Sequence, residues 1–283
     1  MLKKRAVCMA SLLTLLLSLA PASALAEEGK LILATTTSAA DSGLLDYILP
    51  DFEAIYNVKV DVIAVGTGQV LKLAEAGDAD AVLVHARSQE DAFVESGYGV
   101  NRQDVMYNDF IIVGPSDDPA GIKGMKDVAQ AFSKIAETKS TFISRGDESG
   151  THVKEKSIWA KVGLEPKGEW YISAGQGMGE VLTMAEEQMA YTLSDRATYL
   201  SRTIEGIDLA ILVEGNPILF NPYGIIAVNP KLHPEVNYDL AMAFIDWMTS
   251  VQVQLKISQF RHPSGETLFY PNSEAWRKAQ EIK

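Results

Sequence analysis

Apolar and polar positions follow two periods along this chain. Leu31-Ile32-Leu33-Ala34 is an unbroken apolar run and predicts a buried strand, which ends in Thr35-Thr36-Thr37-Ser38. Leu44, Leu45, Ile48, Leu49, Phe52 and Ile55 then recur at helical spacing, with Asp41 or Ser42 as the expected cap. Val58 to Ala64 alternates apolar with polar and stops at Val65-Gly66-Thr67-Gly68, where another helix starts through Val70, Leu71, Leu73 and Ala74. Ala81-Val82-Leu83-Val84 and Phe110-Ile111-Ile112-Val113-Gly114 predict two further strands.

The rhythm restarts after Pro115. Lys126 to Ala136 predicts a helix, Thr141 to Ser144 a strand and Val153 to Val162 a helix. Glu169 to Ser173 is extended, Glu180 to Gln188 helical and Met189 to Leu193 a strand. Tyr223 to Val228 is extended again, and Asp239 to Met248 is a helix. Strand, polar loop and helix repeated in this way predict an α/β protein with a mostly parallel sheet. The late return to strand and helix divides the chain into two lobes, 27–110 with 223–283 and 111–222. Strands crossing near 109–114 and 219–226 would form a hinge and leave a cleft.

The first residues form a different pattern. Lys3, Lys4 and Arg5 precede an apolar run containing Leu12, Leu13, Leu15, Leu16, Leu17 and Leu19, broken at Pro21. Ala24-Leu25-Ala26 then supplies a small-x-small site, so 1–26 is read as a secretory signal cleaved after Ala26, with the periplasm as destination. The run is short for a membrane span. The single cysteine, Cys8, lies inside that segment, which excludes disulfides and cysteine-ligated metals from the remainder.

Charge narrows the partners. Asp and Glu number 37 against 25 Lys and Arg, a net charge of −12, and the leading segment holds three of the cations and no acid. So acidic a chain makes nucleic acid and anionic membrane surfaces poor partners, because phosphate contacts fall mostly to Lys and Arg. His85, His152, His233 and His262 are scattered without metal-ligand spacing, so no metal site is expected. His152 and Glu155, three apart on a predicted helix, read as a surface pair.

Candidate chemistry sits in three polar loops at strand ends: Thr35-Thr36-Thr37-Ser38, Gly66-Thr67-Gly68, and Ser144 to Thr151 with Arg145 in it. Ligands of α/β sheets bind at the carboxyl ends of strands. The first N–H groups of a helix have no partner within it and sit at the positive end of its dipole. Gly allows close approach, Thr and Ser add O–H donors, and Arg adds a charged fork. Together they predict a site for a small tetrahedral oxyanion. Each loop alone also matches an ordinary cap and turn; three in one chain favour the anion. Gly175-x-Gly177-x-Gly179 lacks dinucleotide spacing and reads as a helix start that could offer an N–H. A serine hydrolase through Ser149 is the remote alternative: no Gly-x-Ser-x-Gly elbow exists, and only His152 is a nearby base.

These loops, in this order, resemble the periplasmic tungstate-binding proteins of ABC uptake systems. The resemblance rests on Thr35-Thr36-Thr37-Ser38, on Val65-Gly66-Thr67-Gly68-Gln69, and on the specific stretch Ser144-Arg145-Gly146-Asp147-Glu148-Ser149-Gly150-Thr151-His152-Val153-Lys154-Glu155. It implies a type II periplasmic-binding-protein fold, two α/β lobes joined by two hinge strands and closing on the anion. It also implies a membrane permease and an ATPase as partners, no cofactor and no catalysis; a monomer is expected. The implied ligand is tungstate, with molybdate or phosphate as alternatives on the same fold. Expected oxyanion-binding residues are Thr36, Thr37, Ser38, Thr67, Gly68, Arg145, Ser149, Gly150 and Thr151, with Thr35, Gly177, Met178 and Ser194 as outer candidates. Tungstate is a dianion without a proton to give, so its site should offer donors only. Asp147 and Glu148 are therefore expected to point away, and a carboxylate on the ligand would favour protonated phosphate.

Overall fold

The computed structural model describes residues 29–263 and 265–281. The signal expected over 1–26 lies outside the described residues. The first lobe opens with β1 (Gly29–Thr36), α1 (Thr37–Asp41), α2 (Leu44–Tyr56), β2 (Val58–Val65), α3 (Thr67–Glu75), β3 (Ala81–Val84) and α4 (Arg87–Glu95). The long strand β4 (Gly99–Gly114) leads into the second lobe. That lobe holds α5 (Val128–Thr138), β5 (Phe142–Ser144), α6 (Gly150–Lys161), β6 (Tyr171–Ser173), α7 (Met178–Glu187), β7 (Thr192–Asp195), α8 (Arg196–Ile204) and β8 (Ala210–Val213). β9 (Phe220–Val228) returns to the first lobe, which closes with α9 (Tyr238–Thr249), α10 (Val251–Gln259), β10 (Tyr270–Pro271) and α11 (Glu274–Glu281).

The sheet runs β10-β4-β9-β3-β1-β2, and the far end of β4 pairs with β7 and β8. Within β4, Gly99 to Asp109 pairs with β9, whereas Phe110 to Val113 pairs with β7. The chain therefore leaves the first lobe on β4 and comes back on β9, with Asp109 opposite Phe220 at the crossing. Two strands that cross in opposite senses must pair antiparallel. The expected mostly parallel sheet is accordingly a mixed one. Parallel strand pairs among the described residues are β1–β2, β1–β3 and β5–β6, with one isolated parallel bridge between Phe142 and Tyr191.

Burial explains the sequence pattern. β3 is buried at every position, which accounts for its unbroken apolar run. Phe52 of α2 packs edge-on against Phe244 of α9 at 4.9 Å. In the second lobe Trp159 is fully buried against Phe132 at 4.4 Å and Phe142 at 5.5 Å. One apolar cluster runs from Leu31 and Ile48 through Val105 and Ile111 to Val181, so the lobes meet along β4 without a polar break. The cap expected at Asp41 or Ser42 stands in part: Gly43 holds the cap position of α2, and Ser42 Oγ accepts the Leu44 N–H at 3.2 Å. Asp41 ends the extra turn α1, and α2 starts after Gly43, whose φ of 76° suits a residue without Cβ. Among the described residues no helix is long and apolar enough to cross a membrane.

Candidate functional site

Polar groups from both lobes are packed together where β1, β3, β5 and β7 end. Thr36 closes β1 and its hydroxyl accepts the Ala39 N–H. Thr67 opens α3 after Gly66, and Ser149 caps α6 by accepting the His152 N–H. Gly177 precedes α7, with Met178 buried as its first residue. Thr36, Ser38, Thr67, Arg145, Ser149, Thr151 and Ser194 are all buried. Residues this polar are buried only where hydrogen-bond partners stand close by.

The interface has named contacts. The Gly150 N–H donates to Thr67 Oγ1 at 3.2 Å. A Cβ at Gly66 would stand 3.6 Å from Asp147 Oδ2, and one at Gly68 would stand 3.6 Å from the Glu148 carbonyl. A Cβ at Gly150 would fall 2.8 Å from His85 Cε1, inside contact distance. The second loop of the first lobe thus lies directly on the arginine loop of the second. Room compels Gly at position 150, whereas a Cβ at Gly66 or Gly68 would make only an ordinary contact.

Arg145 is 4% exposed, and its Nε and Nη2 donate to Asp147 Oδ2 at 3.2 and 2.5 Å. Asp147 Oδ1 in turn accepts the Ser149 N–H at 3.1 Å. Burial pushes the Asp147 carboxyl up, but Arg145 and Ser149 outweigh it and hold it below the ordinary value. The Arg145 carbonyl accepts from Gly175 N–H at 2.8 Å, which brings the glycine segment before α7 against the same loop. The guanidinium is therefore aimed, and its charge is balanced inside its own loop.

Other expectations divide. Glu148 leaves the site for Lys156 at 2.7 Å. Thr35 Oγ1 donates to the Leu83 carbonyl and Ser194 Oγ to the Asp195 carbonyl, so both hydroxyls are used within the fold. Thr37 and Thr151 make no side-chain hydrogen bond among the described residues. The surface pair of His152 and Glu155 is corrected. Glu155 is buried, accepting from Trp159 Nε1 at 3.0 Å and Tyr171 Oη at 2.7 Å, while His152 Nδ1 accepts the Glu148 N–H. The helix turns Glu155 inward because Trp159, four residues on, lies in the core. Ser149 Oγ is taken as a cap and the His152 ring accepts the Glu148 N–H, so His152 is not hydrogen-bonded to Ser149 through its ring.

Sequence reasoning missed His85, Asn108, Asn221 and Asp195. His85, immediately after β3, is buried between Ser38 Oγ at 3.2 Å and Asn221 Oδ1 at 2.9 Å. Asp195 is buried at the start of α8, accepting from Thr198 N at 2.9 Å and Thr198 Oγ1 at 2.8 Å. Burial raises its carboxyl above the ordinary range. The strand-end rule applied to the other loops would have found both. Asn108 and Asn221 carry no such signal, because only the pairing of β4 with β9 puts them together.

Residues 21–252 match the PBP superfamily domain. The tungstate-binding protein TupA of Peptoclostridium acidaminophilum is 49% identical over 249 residues, which are 87% of this chain and 87% of that protein. Among solved structures, the tungstate ABC transporter protein of Geobacter sulfurreducens is 59% identical, covering 82% of this chain and 98% of its own, with a TM-score of 0.76. The tungstate-binding protein TupA of Desulfovibrio alaskensis is 46% identical, covering 87% of this chain and all of its own (100%), with a TM-score of 0.74.

Proposed function

The chain belongs to the tungstate-binding family of the PBP superfamily, and from that premise we propose that it captures tungstate between its lobes and delivers it to an ABC permease. The observation that carries this reading is the contact of the Gly150 N–H with the buried Thr67 across the cleft, beside the buried Arg145, Ser149 and Thr151. We take 27–110 with 223–283 as one lobe and 111–222 as the other. Export through cleavage after Ala26 would place a monomer in the periplasm.

Energetics support a donor-lined site. Nanomolar capture requires about 12 kcal/mol. Hydrogen bonds to a charged group are worth roughly 1.5–3 kcal/mol each, so six or seven suffice before the costs of ordering. Because Asp147 neutralises Arg145, the dianion cannot rely on one cation. The N–H groups at the starts of α3, α6 and α7 then carry much of its compensation. Thr37 and Thr151 add open hydroxyls. The acidic surface does nothing for encounter, so affinity must reside in the dry pocket.

Isothermal titration calorimetry of the anion-free mature protein tests this. Tungstate, molybdate, sulfate and phosphate are titrated in one non-phosphate buffer. Expected is tight one-to-one binding of tungstate with little response to sulfate or phosphate, and the molybdate curve ranks the two nearly isosteric anions. Binding of phosphate alone would reassign the ligand, and silence from all four would refute the proposal.

A further inference from the structure

A buried polar chain links the first ligand loop to both crossing strands. Asn221 of β9 donates through Nδ2 to Asn108 Oδ1 of β4 at 2.6 Å. Its own Oδ1 is therefore left to accept, and it stands 2.9 Å from His85 Nδ1. Hence His85 carries its hydrogen on Nδ1 and presents a bare Nε2, which lies 3.2 Å from Ser38 Oγ. Among the described residues Ser38 Oγ is the hydrogen-bond partner of that acceptor, so the Ser38 O–H donates to it. Thr36 Oγ1 is 3.2 Å from Ser38 Oγ, and with the Ser38 hydrogen spent, Thr36 is the donor of that pair. The chain thus runs one way, from the loop to the hinge. The His85 ring is wedged in place, stacked 4.7 Å from Tyr223 on one side and lying against Gly150 on the other.

We propose that His85 is a positioning residue of the oxyanion site: it takes up the Ser38 hydroxyl hydrogen, so that the Thr36–Ser38 loop meets its anion through backbone N–H groups and Thr37, and ties that loop to the two hinge strands. This corrects the expectation that the Ser38 hydroxyl is a ligand donor. It rests on the oxyanion reading above and adds a residue that reaches the ligand only through another. It also gives a reason for three buried polar side chains, His85, Asn108 and Asn221, which are hydrogen-bonded in series behind Ser38.

The tautomer is read without ligand. Long-range proton–nitrogen correlation spectra at pH 7, with His85 assigned by comparison with His85→Gln, should show a neutral ring protonated on Nδ1. A ring protonated on Nε2 or on both nitrogens overturns the proposal. Binding is read by a double-mutant cycle with tungstate. His85→Asn keeps the Asn221 partner but loses the acceptor for Ser38, and should weaken binding about tenfold, the cost of roughly one hydrogen bond. His85→Gln places an amide oxygen near the Nε2 position and should recover most of that loss. Ser38→Ala added to His85→Asn should cost nothing more, whereas losses that multiply would mean that His85 acts without Ser38. A wild-type protein silent toward tungstate would refute the proposed function and leave the tautomer to decide this inference.

Discussion

Arg145 is fixed before any ligand arrives, and its partner Asp147 shapes what its loss would do. Arg145→Ala removes charged donors and leaves a carboxylate beside the anion. Tungstate affinity should fall about a hundredfold, the equivalent of roughly 3 kcal/mol. Asp147→Asn in the same chain should return part of it, because the uncompensated charge is gone. Calorimetry that finds no recovery would mean that Asp147 matters only as the hinge of its turn. His85 supplies a second prediction at this scale, in stability. Burial lowers its pKa to about 4 from 6.5, against the raising bond from Asn221, and the charges of Arg145 and Lys154 push the same way as burial. A depressed pKa gives stability that is full above about 6.5 and lost as pH falls toward 4. Between those values the folded ring stays neutral while the ring of the unfolded chain takes up a proton, and that uptake draws the equilibrium toward unfolding. Measured by urea unfolding of ligand-free protein, the wild type should lose about 3 kcal/mol relative to His85→Gln between pH 7 and pH 4. Parallel pH profiles of the two proteins would show that the ring titrates freely.

Helix starts are the unit from which the site is built, and they can be tested apart from the ligand. Ser149 caps α6 through the His152 N–H at 3.2 Å. Ser149→Ala should cost about 1 kcal/mol of stability, seen as a lower denaturant midpoint. Ser149→Asp restores a good cap and so the midpoint, but it brings a carboxylate to an anion site, so tungstate affinity should stay depressed at least tenfold. If stability and affinity recover together, the α6 start is structural only. Legibility of the sequence divides at this scale too. Strands β1, β2, β3 and β5 and the loops after them could be read because local pattern determines them: apolar run, small polar residues, helical period. α8 and β8 escaped the sequence reading, since Arg196 to Ile204 is polar for a helix and Ala210 to Val213 is one short apolar run among several. The crossing near 109–114 and 219–226 was expected, and only its antiparallel sense escaped, for a different reason. Nothing local in β4 says that its last residues leave β9 for β7. The candidate loops were legible because each carries its own donors, whereas the role proposed for His85, through Ser38, carries no such local signal.

At the scale of the whole molecule, the two lobes share an apolar seam along β4 and meet at the cleft through a few polar contacts. An arrangement with a continuous core at the hinge and sparse contact at the cleft is suited to opening on the cleft side alone. Lys154 of α6 reinforces the hinge, donating to the carbonyls of Ile218 at 3.0 Å and Phe220 at 3.1 Å. Closure then depends on how nearly Gly150 can approach His85. An added Cβ would stand 2.8 Å from Cε1 and 3.0 Å from Nδ1 of a ring held by two hydrogen bonds, which cannot give way. Gly150→Ala should therefore oppose the closed form and spare the open one. Overpacking of this kind costs about 1–3 kcal/mol, so tungstate affinity should drop by about ten- to a hundredfold. Stability of the ligand-free protein should hold or rise, because Ala is the better helix residue at the start of α6. Small-angle X-ray scattering makes the distinction directly. The wild type should contract when saturated with tungstate, and Gly150→Ala should contract less at equal saturation. A variant that closes as fully and binds as tightly as the wild type would place the closing contact elsewhere. Weak binding with normal contraction would instead make the backbone N–H of Gly150, now displaced from Thr67, the group that the anion misses.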